Sequence, residues 1–118
     1  MTIISRRILT PTLGKSDLVL KRVKSMQEIM TNHGAKARIA RIVAGDLAGS
    51  IHFTASYENM EKGCNSFNEM SKDPARIALM KEREADPGGH LIGPEVFRTI
   101  YGNISPEHKV IMMREYQL

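Results

Sequence analysis

The sequence has no tryptophan, a single cysteine, and only three phenylalanines and three tyrosines. Each scarcity excludes something. With Cys64 alone there is no intramolecular disulfide and no thiolate-rich metal site, and its helical spacing with Met60 and Phe67 marks it as a packed core thiol. So few aromatics offer no platform for stacking bases. The net charge of +4, from 17 Lys and Arg against 13 Asp and Glu, is spread among acids and reads as a solvated surface, not a nucleic-acid stripe. The apolar runs are too short to cross a bilayer, so no membrane partner is expected. In Met1–Leu9 the two arginines follow a short apolar stretch with no long apolar core after them, which argues against a secretory signal and for the cytoplasm. There is no Ser-His-Asp order, P-loop or dinucleotide fingerprint.

What is present is alternation. In Ser50–Tyr57, Ile51, Phe53, Ala55 and Tyr57 point one way while His52, Thr54 and Ser56 point the other, the pattern of a strand with one buried and one semi-polar face. A β-branched run over Ala37–Val43 precedes it across the turn-rich Gly45–Gly49, which predicts a hairpin. A first strand runs from Thr2 to Thr10 and ends at Pro11, which cannot donate to a ladder. Ser16 or Asp17 then caps a helix with Val19, Val23, Met26 and Met30 on one side, closed by Gly34. Glu58-Asn59 opens a second helix with Met60, Cys64, Phe67 and Met70 as its apolar stripe. Lys72-Asp73-Pro74 interrupts it, and Ala75–Glu84 continues helically. Asp86–Pro94, with Gly88-Gly89 between prolines, predicts a mobile loop, and Glu95–Tyr101 a fourth strand.

The order is the split β-α-β, ferredoxin-like βαββαβ of the α+β class, an antiparallel sheet with its helices on one face. Residues 1–104 form this domain, and 105–118 are a C-terminal extension whose Lys109–Arg114 run is strand-like and expected at an interface. A sheet covered on one side leaves an apolar patch on the other, and a second copy is its natural cover.

The spacing Gly14…Glu28…Gly34…Ala44-Gly45…Gly49…Phe53…Tyr57-Glu58…Gly63…Asp73-Pro74-Ala75…Val96-Phe97-Arg98 resembles the dimeric α/β-barrel superfamily, in particular its NIPSNAP-like and small uncharacterised members, over about residues 3–101. That resemblance implies a homodimer whose two sheets close face to face into a barrel. It implies a small-molecule ligand between sheet and helices or inside the barrel. Members include cofactor-independent quinol monooxygenases, haem-degrading monooxygenases, lactone isomerases and ligand-sensing domains. The haem-degrading members resemble one another in an Asn on the first strand with a Trp and a His further on. This chain has no Trp and no Asn in residues 2–12, so no haem and no other cofactor is expected.

His52 is the candidate catalytic residue, a general base on a substrate oxygen, unless a neighbour at the dimer interface satisfies it. Thr54 and Ser56 share its face as substrate-orienting hydroxyls. Arg41 joins them if the hairpin sets it opposite His52 and Ile39 opposite Thr54, the expected register because it keeps an arginine from under the helices. The competing register sets Arg41 opposite Phe53. His90, in the Gly-rich loop, is a candidate lid residue over the substrate. His33 fits a helix C-terminus and His108 the surface; no pair of histidines has metal-ligand spacing, so no metal is expected. The function expected is a cofactor-independent monooxygenase or isomerase acting on a small aromatic or polyketide-like molecule. The alternative is a non-catalytic ligand-binding or stress-associated dimer.

Overall fold

The computed structural model of the chain describes residues 2–100. Its elements run β1 (Ile3–Pro11), α1 (Ser16–Asn32), β2 (Lys36–Arg41), β3 (Ile51–Tyr57), α2 (Met60–Met70), α3 (Pro74–Ala85) and β4 (Gly89–Arg98). The four strands form one antiparallel sheet in the order β2-β3-β1-β4, so each β-α-β unit is split by a strand of the other. This is the ferredoxin-like fold, with its second helical segment broken at Asp73-Pro74. The Lys109–Arg114 run of the extension lies outside the described residues.

One face of β3 builds the core. Ile51, Phe53 and Ala55 are almost wholly buried, packed with Val19, Val23, Ile29 and Met30 of α1 and Met70 of α2, and Leu79 of α3 joins them at the margin. Burying a side chain the size of Phe53 contributes about 1.5–3 kcal/mol. All three helices therefore sit on one face of the sheet.

The helix starts are set by side chains at two of three positions. Asn59 accepts from the Lys62 amide at 2.9 Å, and Asp73 accepts from the Ala75 amide at 2.9 Å with Pro74 in the first turn. For α1 the expected cap is absent: Lys15 holds the N-cap position without a side-chain bond, and Ser16 is already helical. Instead Lys15 reaches Asp86 at 2.6 Å, and Arg22 reaches Glu82 and the Asp86 carbonyl at 3.4 and 2.7 Å, so ion pairs tie α1 to the end of α3.

Of the stripe expected to bury α2, Met70 faces the core but the other three residues are turned outward. Cys64, Met60 and Phe67 are exposed, and the inward residues are Gly63, Ser66 and Met70. A β-carbon on Gly63 would stand 3.5 Å from the Tyr57 ring, so small residues let α2 close on β3. The expected mobile loop is mostly strand: β4 begins at Gly89, pairing with Pro11, and His90 pairs with Thr10. Gly88 and Gly89 serve close packing, since β-carbons there would stand 2.6 Å from Val19 Cγ2 and 2.1 Å from the Thr10 carbonyl oxygen.

Candidate functional site

The strand registers fix which side chains share the face turned away from the helices. Across β2, β3, β1 and β4, Lys36, Ser56, Ile4 and Phe97 make one row. Arg38, Thr54, Arg6 and Glu95 make the next, then Ala40, His52, Ile8 and Ile92. Beyond them Ile42 pairs with Ser50, whose hydroxyl shares a 2.9 Å hydrogen bond with Thr10, itself opposite His90. His52, Thr54, Ser56 and His90 thus lie on one face, His52 and Thr54 on the central strand and His90 at the edge.

Arg41 does not join them. The hairpin takes neither anticipated register: Ala40 lies opposite His52, and Arg41 lies opposite Ile51 on the helix side. Its side chain nevertheless stays exposed, because it stands at the last position of an edge strand, where Nη1 donates to the Gly49 carbonyl at 3.2 Å. The reason for expecting the other register, an arginine trapped under helices, does not hold at a strand end. What decides the register is the apolar set, which places Ile39 opposite Phe53 and Ala37 opposite Ala55 against α1. The arginine of β2 on the His52 face is Arg38. The lid expected of His90 also loses its premise, since the residue sits in a paired strand.

Arg6, missed from the sequence, is the most enclosed charged group of this face at 8 % exposure. Its Nη2 donates to Glu95 at 2.8 Å, and its guanidinium lies 4.9 Å from the centre of the Phe97 ring. The alternation of β1 could have signalled it, since Ile4, Arg6 and Ile8 share one parity. The row Arg38–Thr54–Arg6–Glu95 holds two guanidinia to one carboxylate, one step along the strands from His52. A polarised oxygen placed here would meet positive charge and a hydroxyl, with the His52 imidazole in the next row as a candidate base.

A separate cleft of about 730 Å³ opens at the end of the sheet, among Lys36, Tyr57, Lys62, Asn65 and Ser66. Ser66 Oγ is buried there without a hydrogen-bond partner among the described residues. Near the rim, His33 Nε2 bonds Asp73 Oδ2 at 2.8 Å, and Lys62 pairs with Glu58. No three of His, Cys, Asp and Glu gather as metal ligands among the described residues, and no helix there is long and apolar enough to cross a membrane.

No protein-family model matches the sequence, and no curated protein matches it. Solved structures do match the fold. A NIPSNAP domain protein from Burkholderia xenovorans superposes with a TM-score of 0.67 at 20 % identity, over 89 % of this chain and 99 % of that one. A candidate antibiotic-biosynthesis monooxygenase from Deinococcus radiodurans gives 0.65 at 10 % identity, over 87 % and 98 %. SnoaB, a cofactor-independent oxygenase from Streptomyces nogalater, gives 0.58 at 11 % identity, over 86 % and 95 %. At these identities the likeness is one of fold, and it covers nearly the whole length of each of the three.

Proposed function

We propose that the chain forms a homodimer through the sheet face that carries His52, and that the enclosed interior oxidises or isomerises a small aromatic or polyketide-like molecule without a cofactor. The observation that carries this reading is the position of His52 on the central strand β3, in the row next to Arg38, Thr54 and Arg6, on a face that none of the three helices covers. His52 acts as the base that removes a phenolic or enolic proton. Thr54 and Ser56 orient the substrate oxygens, Arg38 and Arg6 stabilise the anion that forms, and His90 bounds the site from the edge strand. The Arg41 position plays no part. The fold shared with SnoaB, a cofactor-independent oxygenase, supports this class of chemistry. Oxygen uptake against a panel of hydroquinones tests it: turnover in the wild type that falls at least about a hundredfold in His52→Ala agrees with general-base catalysis, and equal rates in the two remove His52 from the mechanism.

A second reading is a dimer that binds a small molecule without turnover. It is favoured by the Arg6–Glu95 pair with Phe97 laid against it, which fills the β1–β4 part of the face with protein groups. A dimer that consumes no oxygen with any hydroquinone, yet is raised in melting temperature by one of them, would decide for it.

A further inference from the structure

β4 is the outermost strand of the sheet, bonded to β1 on one side, and among the described residues no strand lies on its other side. The register shows which of its backbone groups face that open side. Thr99 donates to the Thr2 carbonyl at 3.0 Å, continuing the pairing of Ile3 with Arg98, and in an antiparallel pair the bonded positions alternate. Glu95 and Phe97 therefore bond β1, while Val96 and Arg98 turn their N–H and C=O groups outward. Pro94 has no N–H to offer, and the pairing with β1 shifts register just before it, between Arg6 and Ile8. The edge open to a further strand is thus the short stretch Glu95–Arg98.

That stretch exposes an apolar residue on each face. Val96, opposite Ser5 on the helix side, is 60 % exposed, and Phe97, opposite Ile4 on the other side, is 41 % exposed. A strand laid beside them covers both only if it is apolar at both parities. The run Val110-Ile111-Met112-Met113, between Lys109 and Arg114, is apolar at both. The point where the described chain stops favours the same run: Ile100 comes directly after this edge, and Gly102-Asn103 and Ser105-Pro106 supply turn-forming residues ahead of Lys109. Six residues of strand span about 20 Å, enough to cover Glu95–Arg98. An antiparallel return also brings Arg114 to the Glu95 end of the stretch, where the charges are opposite.

We propose that the edge of β4 is the docking surface for residues 109–114 of the same chain, which return antiparallel to it as a fifth strand and bond the outward groups of Val96 and Arg98. A segment tethered through residues 99–108 is held at an effective concentration on the order of millimolar, above that of a second copy at micromolar protein, so the chain's own run takes the edge first. Its arrival closes a stretch of backbone that would otherwise template pairing with other chains. The added strand uses the edge of the sheet and not the rows around His52, so it stands whether or not that face turns over a substrate.

The test is hydrogen exchange in the isotope-labelled full chain, followed amide by amide by NMR. In the wild type the Val96 and Arg98 amides exchange at least about a hundredfold more slowly than an amide open to water, although neither bonds β1. Ile111→Pro removes a donor from the added strand, so Val96 and Arg98 lose their protection while Phe97, bonded to β1, keeps it. Unprotected Val96 and Arg98 in the wild type would overturn the proposal, as would protection that Ile111→Pro leaves unchanged. The occupant is read in the wild type by diluting doubly labelled chains into unlabelled ones. Nuclear Overhauser contacts from the Val96 and Arg98 amides to labelled Val110–Met113 methyl groups then come from the same chain. Contacts to methyl groups of the unlabelled chains would give the edge to a second copy, and contacts to any other segment would equally overturn the assignment. If Ile111→Pro loses the protection of Phe97 as well, these wild-type contacts decide.

Discussion

His33 Nε2 stands 2.8 Å from Asp73 Oδ2, tying the C-terminal end of α1 to the residue that starts α3. The other Asp73 oxygen accepts from the Ala75 amide, so one carboxylate serves both the cap and the tie. The hydrogen bond from His33, and after it that from Ala75, holds the Asp73 carboxyl below its ordinary value of 3.8. A depressed carboxylate stabilises the fold above that ordinary value, and the contribution is lost as pH falls through the lower, folded-state value. His33→Gln is therefore expected to move the Asp73 titration midpoint upward, and to make the melting temperature fall less steeply below about pH 4 than in the wild type. Carboxyl carbon shifts followed by NMR report the midpoint directly. A midpoint unchanged by the substitution would contradict the assignment.

Gly89 and Gly14 make a paired prediction. A β-carbon on Gly89 would meet backbone at 2.1 Å, whereas Gly14 has positive φ and nothing within 4 Å. Gly14→Ala then costs only the left-handed strain, about 1–2 kcal/mol. Gly89→Ala forces β4 away from β1 and costs about 3 kcal/mol or more. Chemical denaturation of the two variants gives the order, and a Gly89 variant as stable as the Gly14 variant would show that the β1–β4 start yields easily.

The strict alternation of Ile51, Phe53, Ala55 and Tyr57 against His52, Thr54 and Ser56 made β3 legible, because a period of two survives any tertiary context. Asn59 and Asp73-Pro74 were legible as helix starts because capping is local chemistry. Three features were not. The inward face of α2 is chosen by how closely Tyr57 approaches Gly63, which no apolarity count over Met60, Cys64 and Phe67 contains. The hairpin register depends on Ile39 and Ala37 meeting α1, and on Arg41 standing at a strand end where it can escape. The paired glycines read as flexibility when they are space made for Thr10 and Val19. Of the candidate site, the histidine, threonine and serine of β3 keep their common face, but the arginines near them are Arg38 and Arg6.

The proposed dimer places Phe97, 41 % exposed beside Ile4, in the contact between sheets. Light scattering at micromolar concentration is expected to give twice the chain mass for the wild type. Phe97→Asp should bring it to the single-chain mass with the far-ultraviolet dichroism retained, since the residue lies on an edge strand outside the core. A wild-type protein that scatters as a single chain would remove the dimer, and the enclosed interior that the proposed chemistry needs would go with it.

Ser66 tests the cleft at the end of the sheet. Its hydroxyl is buried on the inward face of α2 without a hydrogen-bond partner among the described residues, and an unmet buried hydroxyl costs about 1–3 kcal/mol. Alanine removes that group, fits the same space and favours the helix by a few tenths of a kcal/mol. Ser66→Ala is thus expected to raise the melting temperature, by about 4–8 °C for each 1 kcal/mol gained in a domain near this size. The opposite result, a clear fall, would mean that the hydroxyl holds an ordered water among Tyr57, Asn65 and the helix backbone. The cleft would then have to be read as a hydrated polar site whose water belongs to the fold.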